Sequence, residues 1–269
     1  MNAANNLGKA LITGASSGIG AVYADRLARR GFDLTLVARD ASRLEEISRR
    51  LRAEAGRRVE VLRADLTQKA DLKRVEQVLQ TDPEITLLVN NAGIAVAKPV
   101  IDSDPEQLEQ MITLNVLALT RLSRAIVPAF VKRGSGALIN IASIVALSPG
   151  LVGGTYSATK SFVLNLTQAL HQELKGTGIR IQAVLPGATS TELWERAGVS
   201  LNQLPSEIIM STADMVDAAL VGFDRHELVT IPSLPNARDW DAFEAARVAL
   251  GPNLSRSKPA SRYADGKAA

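Results

Sequence analysis

Short apolar runs alternate along the chain with segments in which apolar residues recur every three or four positions. The short runs lack the strict alternation of a strand with one wet face, so both faces of their sheet are expected to be covered. Each run has the length of a strand. Six strands are therefore predicted, in the order KALIT, FDLTLVA, VEVLRADL, ITLLVNNAG, ALINIAS and IRIQAVLPG.

The segments between these runs have the period of amphipathic helices. The first, GIGAVYADRLARRG, ends at Gly31, a typical C-terminal cap. The next, SRLEEISRRLRAEAG, opens with Ser42 and Glu45 at the spacing of a capping box. Further helices are predicted for DLKRVEQVLQ, for a long stretch over about 105–132, and for YSATKSFVLNLTQALHQELKG.

Strands that alternate with helices predict an α/β fold, a doubly wound parallel sheet of the Rossmann-like type in a single domain. We expect this domain to span residues 1–250, with a substrate-binding region at about 190–225. Residues 251–269 are rich in Gly, Pro, Ser and Lys and are predicted to be a flexible tail.

A glycine-rich turn, TGASSGIG, joins the first predicted strand to the first helix and contains Gly14, Gly18 and Gly20. Glycines allow a tight turn and the close approach of a ligand, and the helix N-terminus offers free N–H groups to a phosphate. The spacing differs from G-x-G-x-x-G, and an ordinary glycine-rich turn is the alternative. Its place after the first strand of a doubly wound pattern favours dinucleotide binding.

The end of the second predicted strand indicates which dinucleotide is preferred. An acidic residue there binds the ribose hydroxyls of NAD, whereas an arginine accommodates the 2′-phosphate of NADP. This chain has Arg39, and Asp40 comes one residue too late and is read as the start of the next helix. NADP is therefore expected, with NAD possible; the alternative for Arg39 is a solvated loop position.

Tyr156 and Lys160 are four residues apart within a predicted helix, so their side chains share a face. A free tyrosine titrates near pH ~10, too high for easy proton exchange at neutral pH. An ammonium about 4 Å away stabilises a phenolate by about 4 kcal/mol at an effective dielectric constant near 20, an upper value because burial opposes it. The pair therefore predicts a proton donor whose pKa is lowered by the lysine.

The composition of the 269-residue chain argues against nucleic-acid binding and metal binding. The net charge is only +3 and no basic block stands out, so no nucleic-acid partner is expected. There is no cysteine, and the two histidines lack metal-ligand spacing, so no metal is expected. The sequence pattern predicts neither a signal peptide nor an apolar run long enough to span a membrane, and a cytoplasmic protein is therefore expected.

Several motifs together resemble the short-chain dehydrogenase/reductase family. They are TGASSGIG, NNAG (90–93), Asn115, Ser143, YSATK (156–160) and PGATST (186–191), in the family's order and spacing. The resemblance covers about residues 9–191. It implies an NAD(P)-dependent oxidoreductase that acts on the CH–OH group of donors, in the compact single-domain form of the family.

The resemblance implies a catalytic role for four residues. Tyr156 would protonate the carbonyl oxygen, and Lys160 would lower its pKa and hold the nicotinamide ribose. Ser143 would hydrogen-bond the substrate oxygen, and Asn115 would hold a water that relays protons to Lys160. Two alternatives stay open: for Ser143 a residue that ends a turn, and for Asn115 a purely structural hydrogen bond in its apolar surroundings.

The resemblance also implies a set of cofactor-binding residues, with Thr189 standing where the family often has an aliphatic residue. These are Gly14, Ser16, Ser17, Gly18, Ile19, Gly20, Arg39, Asp65, Leu66, Asn91, Ala92, Gly93, Tyr156, Lys160, Pro186, Gly187, Thr189 and Thr191.

The small-molecule substrate is expected to be a lipophilic ketone, its alcohol or a keto-acyl compound. The segments after Ser143 and Pro186 are apolar and carry no basic cluster for a phosphorylated substrate. Ser143, Val145 and Trp194 are the predicted substrate contacts, and the region around Trp194 is a candidate lid. The alternative is that these apolar residues pack in the core or an oligomer interface.

A homodimer or homotetramer is expected, because apolar residues of the two longest predicted helices exceed one core-facing stripe. The resemblance places such an interface on these helices. Two rival functions stay open. One is an NAD-dependent secondary-alcohol dehydrogenase of the same fold, and the other is a non-catalytic dinucleotide-binding regulator.

Overall fold

A seven-stranded parallel sheet forms the centre of the computed structural model, which describes residues 7–263. Its spatial order is β3-β2-β1-β4-β5-β6-β7. The order reverses between β1 and β4, so a doubly wound sheet is confirmed. The strands are β1 Lys9–Thr13, β2 Asp33–Ala38, β3 Val59–Arg63, β4 Ile85–Asn90, β5 Gly136–Ile141, β6 Ile179–Val184 and β7 Val229–Thr230.

Helices pack on both faces of this sheet, as the unbroken apolar strands require. The helices are α1 Gly18–Arg30, α2 Ala41–Ala55, α3 Lys69–Thr81, α4 Pro105–Ile112, α5 Leu119–Arg133, α6 Gly154–Glu173, α7 Glu192–Arg196, α8 Thr212–Asp224 and α9 Ala237–Ala249. Alternate residues of β1 enter opposite cores: Ile12 packs with helices α1, α2 and α8, whereas Leu11 packs with α3 and α5.

The start of α2 differs from the sequence prediction. Asp40, rather than Ser42, is the N-cap, and its carboxylate accepts a hydrogen bond of 3.0 Å from the backbone N–H of Arg43. The capping box at Ser42 is therefore wrong. A cap at Asp40 begins the helix two residues earlier and places Arg43 in its first turn.

The long helix predicted over about 105–132 is interrupted by a π-helical segment, Thr113–Ala118, between α4 and α5. By length and composition the whole stretch from Pro105 to Arg133 would suffice to cross a membrane, contrary to the sequence prediction. Core helices share these properties. Leu122, Ile126 and Phe130 are buried against the sheet, which accounts for its apolar character.

The described chain divides into two compact units, one up to Pro232 and one from Ser233 onward. The second contains α9, which the sequence did not predict and in which no residue is buried. Its sequence lacks an apolar stripe, so periodicity gave no signal. The expected boundaries at residues 190–225, 250 and 251–269 stay predictions, and residues 264–269 of that tail lie outside the described range.

Candidate active site

One cavity of about 580 Å³ opens at the carboxyl ends of the strands. The turns and loops that follow β1 to β6 all contribute to it, which is where ligands bind in doubly wound sheets. Of the predicted cofactor residues, all except Gly20 line this cavity: Gly14, Ser16, Ser17, Gly18, Ile19, Arg39, Asp65, Leu66, Asn91, Ala92, Gly93, Tyr156, Lys160, Pro186, Gly187, Thr189 and Thr191.

The glycines after β1 are required by backbone geometry and by close packing. Gly14 and Gly18 have φ of 67° and 53°, in the left-handed region. A Cβ on Gly20 would lie 2.3 Å from the carbonyl oxygen of Gly14, so this glycine lies beneath the turn and not in the cavity. Gly20 therefore supports the turn through helix packing, and its contact with a cofactor stays a prediction.

The Asn91 loop is fastened to the same turn by Thr13. The Thr13 hydroxyl accepts hydrogen bonds from the backbone N–H groups of Asn91 and Ala92, at 2.9 and 3.0 Å. The Asn91 amide donates to the carbonyl oxygen of Thr13 at 2.8 Å. These bonds hold the loop after β4 beside the glycine turn, where both line the cavity.

Two arginines lie at the far end of the cavity, where β2 leads into α2. Arg39 is exposed, and its guanidinium has no ion-pair partner among residues 7–263. Arg43 also lines the cavity and forms an ion pair with Glu192 of α7. Sequence reasoning missed Arg43 and Glu192, because they are 149 positions apart and no local pattern joins them.

The predicted catalytic residues Ser143, Tyr156 and Lys160 meet in this cavity. Tyr156 and Lys160 lie on α6 with 4% and 6% of their surface exposed. The Nζ of Lys160 lies 5.7 Å from the centre of the Tyr156 ring and donates a 3.0 Å hydrogen bond to the carbonyl oxygen of Ile141. Helical spacing and the end of β5 together bring the three side chains into one place.

Burial decides the protonation of this pair. Burial raises the pKa of Tyr156 well above its usual range, although a hydrogen bond with Ser143 opposes the change. Burial also lowers the pKa of Lys160 to about 8. In the protein alone, burial therefore has the largest effect on the pKa of the phenol, and the lowering of this pKa by the lysine stays a prediction.

Asn115 lies in the π-helical segment and does not line the cavity. Its amide donates to the carbonyl oxygen of Ile94 at 2.8 Å and to Thr159 Oγ1 at 3.2 Å, and its oxygen accepts from the N–H of Ile94 at 3.0 Å. The side chain is thus committed to holding the loop after β4 against α6. Its role as a water ligand stays a prediction, and the structural alternative has direct support.

Two of the predicted substrate contacts, Trp194 and Val145, occupy different surroundings. Trp194 lines the cavity and donates a 3.1 Å hydrogen bond from Nε1 to the carbonyl oxygen of Thr189. Val145 does not line it, because it is buried in a core cluster with Tyr156. The sequence missed several further lining residues: Val37, Ala38, Asp40, Ala64, Thr67, Ile94, Gln110, Leu114, Ile141, Ala142 and Arg196.

The cavity fits a dinucleotide on structural grounds. Its floor is a strand-to-helix turn in which side chains would clash, and α1 begins there with Ser17 as N-cap. The backbone N–H groups of such a turn suit a pyrophosphate. Arg39 and Arg43 lie where β2 leads into α2, whereas Lys160 contacts the end of β5, and β1 and β4 separate these two strands.

The model of the family described as short chain dehydrogenase matches residues 8–200. This chain belongs to the short-chain dehydrogenase family. The predicted fold and family are confirmed, and the chain is an oxidoreductase of this family, whose members use NAD or NADP as cofactor.

Three relatives illustrate the similarity. A short-chain dehydrogenase from Sphingobium yanoikuyae, solved in complex with NADPH, is 52% identical with a TM-score of 0.93 and covers 96% of this chain and 100% of its own. The bulky-bulky ketone specific alcohol dehydrogenase from Comamonas testosteroni is 44% identical with a TM-score of 0.89, covering 96% and 99%. The very-long-chain 3-oxoacyl-CoA reductase of Anas platyrhynchos is 33% identical over 190 residues, which is 68% of this chain and 60% of that protein.

Proposed function

We propose that this short-chain dehydrogenase transfers a hydride between NADP and a carbonyl or secondary alcohol of a lipophilic compound. The observation that carries the proposal is one cavity lined by Ser143, Tyr156 and Lys160 near the end of β5 and by Arg39 at the end of β2. When bound, the nicotinamide supplies or accepts the hydride. The protein's residues bind the substrate, exclude water and move the proton.

The buried phenol of Tyr156 stays protonated in the protein alone and so is ready to donate a proton to a carbonyl oxygen. Ser143 lowers the pKa of the tyrosine and would orient the same carbonyl oxygen. Lys160 would stabilise the phenolate that remains after the proton has left, because an ammonium nearby favours the charged form. In the oxidation direction the same groups act in reverse.

The preference for NADP is supported by Arg39. Its guanidinium is exposed and lines the cavity at the end of β2, where a 2′-phosphate would lie. The residue after it, Asp40, caps α2 with its side chain and is thereby directed to the helix backbone. The NADPH complex of the Sphingobium yanoikuyae relative is consistent with this assignment.

Arg39→Asp tests the cofactor assignment. A charge-assisted hydrogen bond to phosphate corresponds to about ten- to a hundredfold in kcat/KM. We expect the variant to lose this factor with NADPH and to change little with NADH. Wild-type protein that prefers NADH would refute the NADP assignment and favour the NAD-dependent dehydrogenase.

A lipophilic substrate is supported by the residues around the reacting end. Leu193 and Trp194 line the cavity there, and Leu193 packs against the cluster that contains Tyr156. Val100, Ile101 and Leu151 are exposed on loops that follow β4 and β5. The bulky-ketone specificity named for the Comamonas testosteroni relative and the keto-acyl substrate named for the Anas platyrhynchos relative are two forms of this class.

A matched panel separates these possibilities. Aliphatic and aromatic ketones of increasing size, a 3-oxoacyl thioester and small sugars should be compared by kcat/KM, read from nicotinamide absorbance. We expect kcat/KM to rise with apolar size. A preference for sugars would contradict the lipophilic site, and no turnover of any carbonyl or alcohol would favour the binding regulator.

The cytoplasmic location and the homodimer or homotetramer belong to this proposal as well. Leu117 of the π-helical segment and Phe162 of α6 are 48% and 39% exposed, which supports a further contact on these helices. Leu119 and Leu122, by contrast, are buried in the described chain and belong to its own core.

A further inference from the structure

An ion pair joins α2 to α7, and both of its side chains line the cavity. Nη1 of Arg43, in the first turn of α2, lies 2.9 Å from both carboxylate oxygens of Glu192, the first residue of α7. The side chains are 45% and 41% exposed. The pair connects the helix after β2, on the nucleotide side, to the short helix that also carries Trp194 on the substrate side.

We propose that Arg43 is a second ligand for the 2′-phosphate of NADP, that Glu192 holds this arginine when no phosphate is present, and that the exchange of partners releases α7 over the substrate site. The inference rests on the proposed NADP dependence. In this proposal the Glu192 carboxylate and the cofactor phosphate compete for Arg43, and the outcome of the competition changes the position of α7 at the substrate site.

The position of Arg43 makes it available to the phosphate. Arg39 and Arg43 both line the cavity, four residues apart across the junction of β2 and α2. Asp40 lies between them and is the carboxylate nearest to Arg43 on the same helix, at 3.6 Å from its Nε. Because Asp40 caps the helix, it remains in place whichever partner Arg43 takes.

The exchange of partners is favoured by charge and costs little. A phosphate monoester carries between one and two negative charges at neutral pH and has three acceptor oxygens, whereas Glu192 carries one charge. Glu192 would not be left unpaired, because Arg196, one turn along α7, also donates to it. Both members of the Arg43–Glu192 pair are near half exposed, so water replaces what the exchange removes.

The effect reaches the substrate side because α7 is only five residues long. Leu193 and Trp194 follow Glu192 directly and line the cavity, and Leu193 also packs against the cluster that contains Tyr156. A change at Glu192 therefore acts on the residues that contact substrate. The 2′-phosphate would both select the cofactor and loosen the helix that admits the substrate.

The test is a double-mutant cycle on the full chain, with binding as the readout. Wild type, Arg43→Gln, Glu192→Gln and the double variant are titrated calorimetrically with adenosine 2′,5′-bisphosphate and with adenosine 5′-monophosphate, which differ only by the 2′-phosphate. Arg49→Gln is the matched control, because Arg49 is an exposed arginine of the same helix that does not line the cavity.

We expect Arg43→Gln to weaken bisphosphate binding by about three- to tenfold and to leave the monophosphate unchanged. Glu192→Gln should strengthen bisphosphate binding about threefold, because the competing carboxylate is gone. In the double variant this gain should disappear. Such non-additivity identifies competition through Arg43, whereas simple repulsion between Glu192 and phosphate would persist without the arginine.

Either of two results overturns the inference: unchanged bisphosphate affinity in Arg43→Gln, or a Glu192→Gln gain that survives in the double variant. If wild type itself does not prefer the bisphosphate, the NADP proposal fails, which is a separate and distinguishable result.

Trp194 reports the second half of the inference. In a Trp240→Phe background it is the remaining tryptophan of the chain. Its emission should change with bisphosphate but not with monophosphate, and Glu192→Gln should show the changed emission before ligand is added. An emission that is the same in all these states would contradict the release of α7.

Discussion

Replacing Lys160 by methionine should make the protein more stable at neutral pH while it destroys turnover. Lys160 is 6% exposed, and burial lowers its pKa from the ordinary 10.5 to about 8. At pH 7 the side chain is still mostly charged, so the folded state holds an ammonium in surroundings that disfavour it. Methionine has a similar length and carries no charge.

The expected gain follows from the pKa. A change of 1 in pKa corresponds to about 1.4 kcal/mol, so the buried charge costs the fold about 3 kcal/mol at pH 7. Methionine also removes the hydrogen bond to the Ile141 carbonyl oxygen, and this loss lowers the free energy of unfolding by about 1–1.5 kcal/mol. The net gain is about 1.5–2 kcal/mol. In a domain of this size that raises Tm by about 3–8 °C.

The sign of the pH dependence gives a sharper check. The folded-state pKa of Lys160 lies below the unfolded value, so between pH 8 and 10.5 the unfolded chain binds more protons. The free energy of unfolding of the wild type should therefore rise relative to that of the variant as pH increases through this window. The stability advantage of Lys160→Met should shrink across the same window and be absent above it. The penalty is fully present below pH 8.

The assay is urea unfolding of wild type and Lys160→Met from pH 6.5 to 10.5, with turnover measured in parallel. Lys175→Met is the matched control, because Lys175 is an exposed lysine just beyond the same helix. Its stability should not follow this pattern. A Lys160→Met protein that is less stable than wild type at pH 7, or a difference that does not change with pH, would refute the reasoning.

Three further outcomes are expected. Tyr156→Phe should keep the fold and cofactor affinity but lose at least ~10²-fold in kcat, and near-normal turnover would remove the proton-donor assignment. Gly20→Ala should lower the free energy of unfolding by about 1–3 kcal/mol and weaken cofactor binding, because the added Cβ would clash with the Gly14 carbonyl oxygen. In the control Gly150→Ala the added Cβ lies in open space, so the free energy of unfolding should not change. Light scattering at micromolar concentration should show a dimer or tetramer, and a monomer would contradict the oligomer proposal.

The order of strands and helices could be predicted from the sequence, because each strand and each helix has a local pattern of apolar residues. Unbroken apolar strands, Gly31 as a helix cap and the glycines after β1 depend on neighbours a few residues away. The Tyr156–Lys160 pair is local in the same sense, because helical spacing alone puts both side chains on one face of α6. For such features, periodicity and backbone sterics are sufficient.

Other features could not be predicted from the sequence, because tertiary packing determines them. Burial, not helical spacing, determines how Tyr156 and Lys160 titrate, and the amount of burial cannot be read from four intervening residues. Val145 and Trp194 are both apolar and near motifs, yet only packing assigns one to the core and the other to the cavity. The short strand β7 depends on its pairing with β6.

The sequence by itself determined the doubly wound sheet, the family and the identity of the residues at the carboxyl ends of the strands. Only the tertiary structure decided which of them share a cavity, that Gly20 supports the turn from beneath, and that Arg43 meets Glu192. The physical reason is range. Backbone conformation and helical period act over a few residues, whereas desolvation and ion pairing depend on which distant segments the fold brings together.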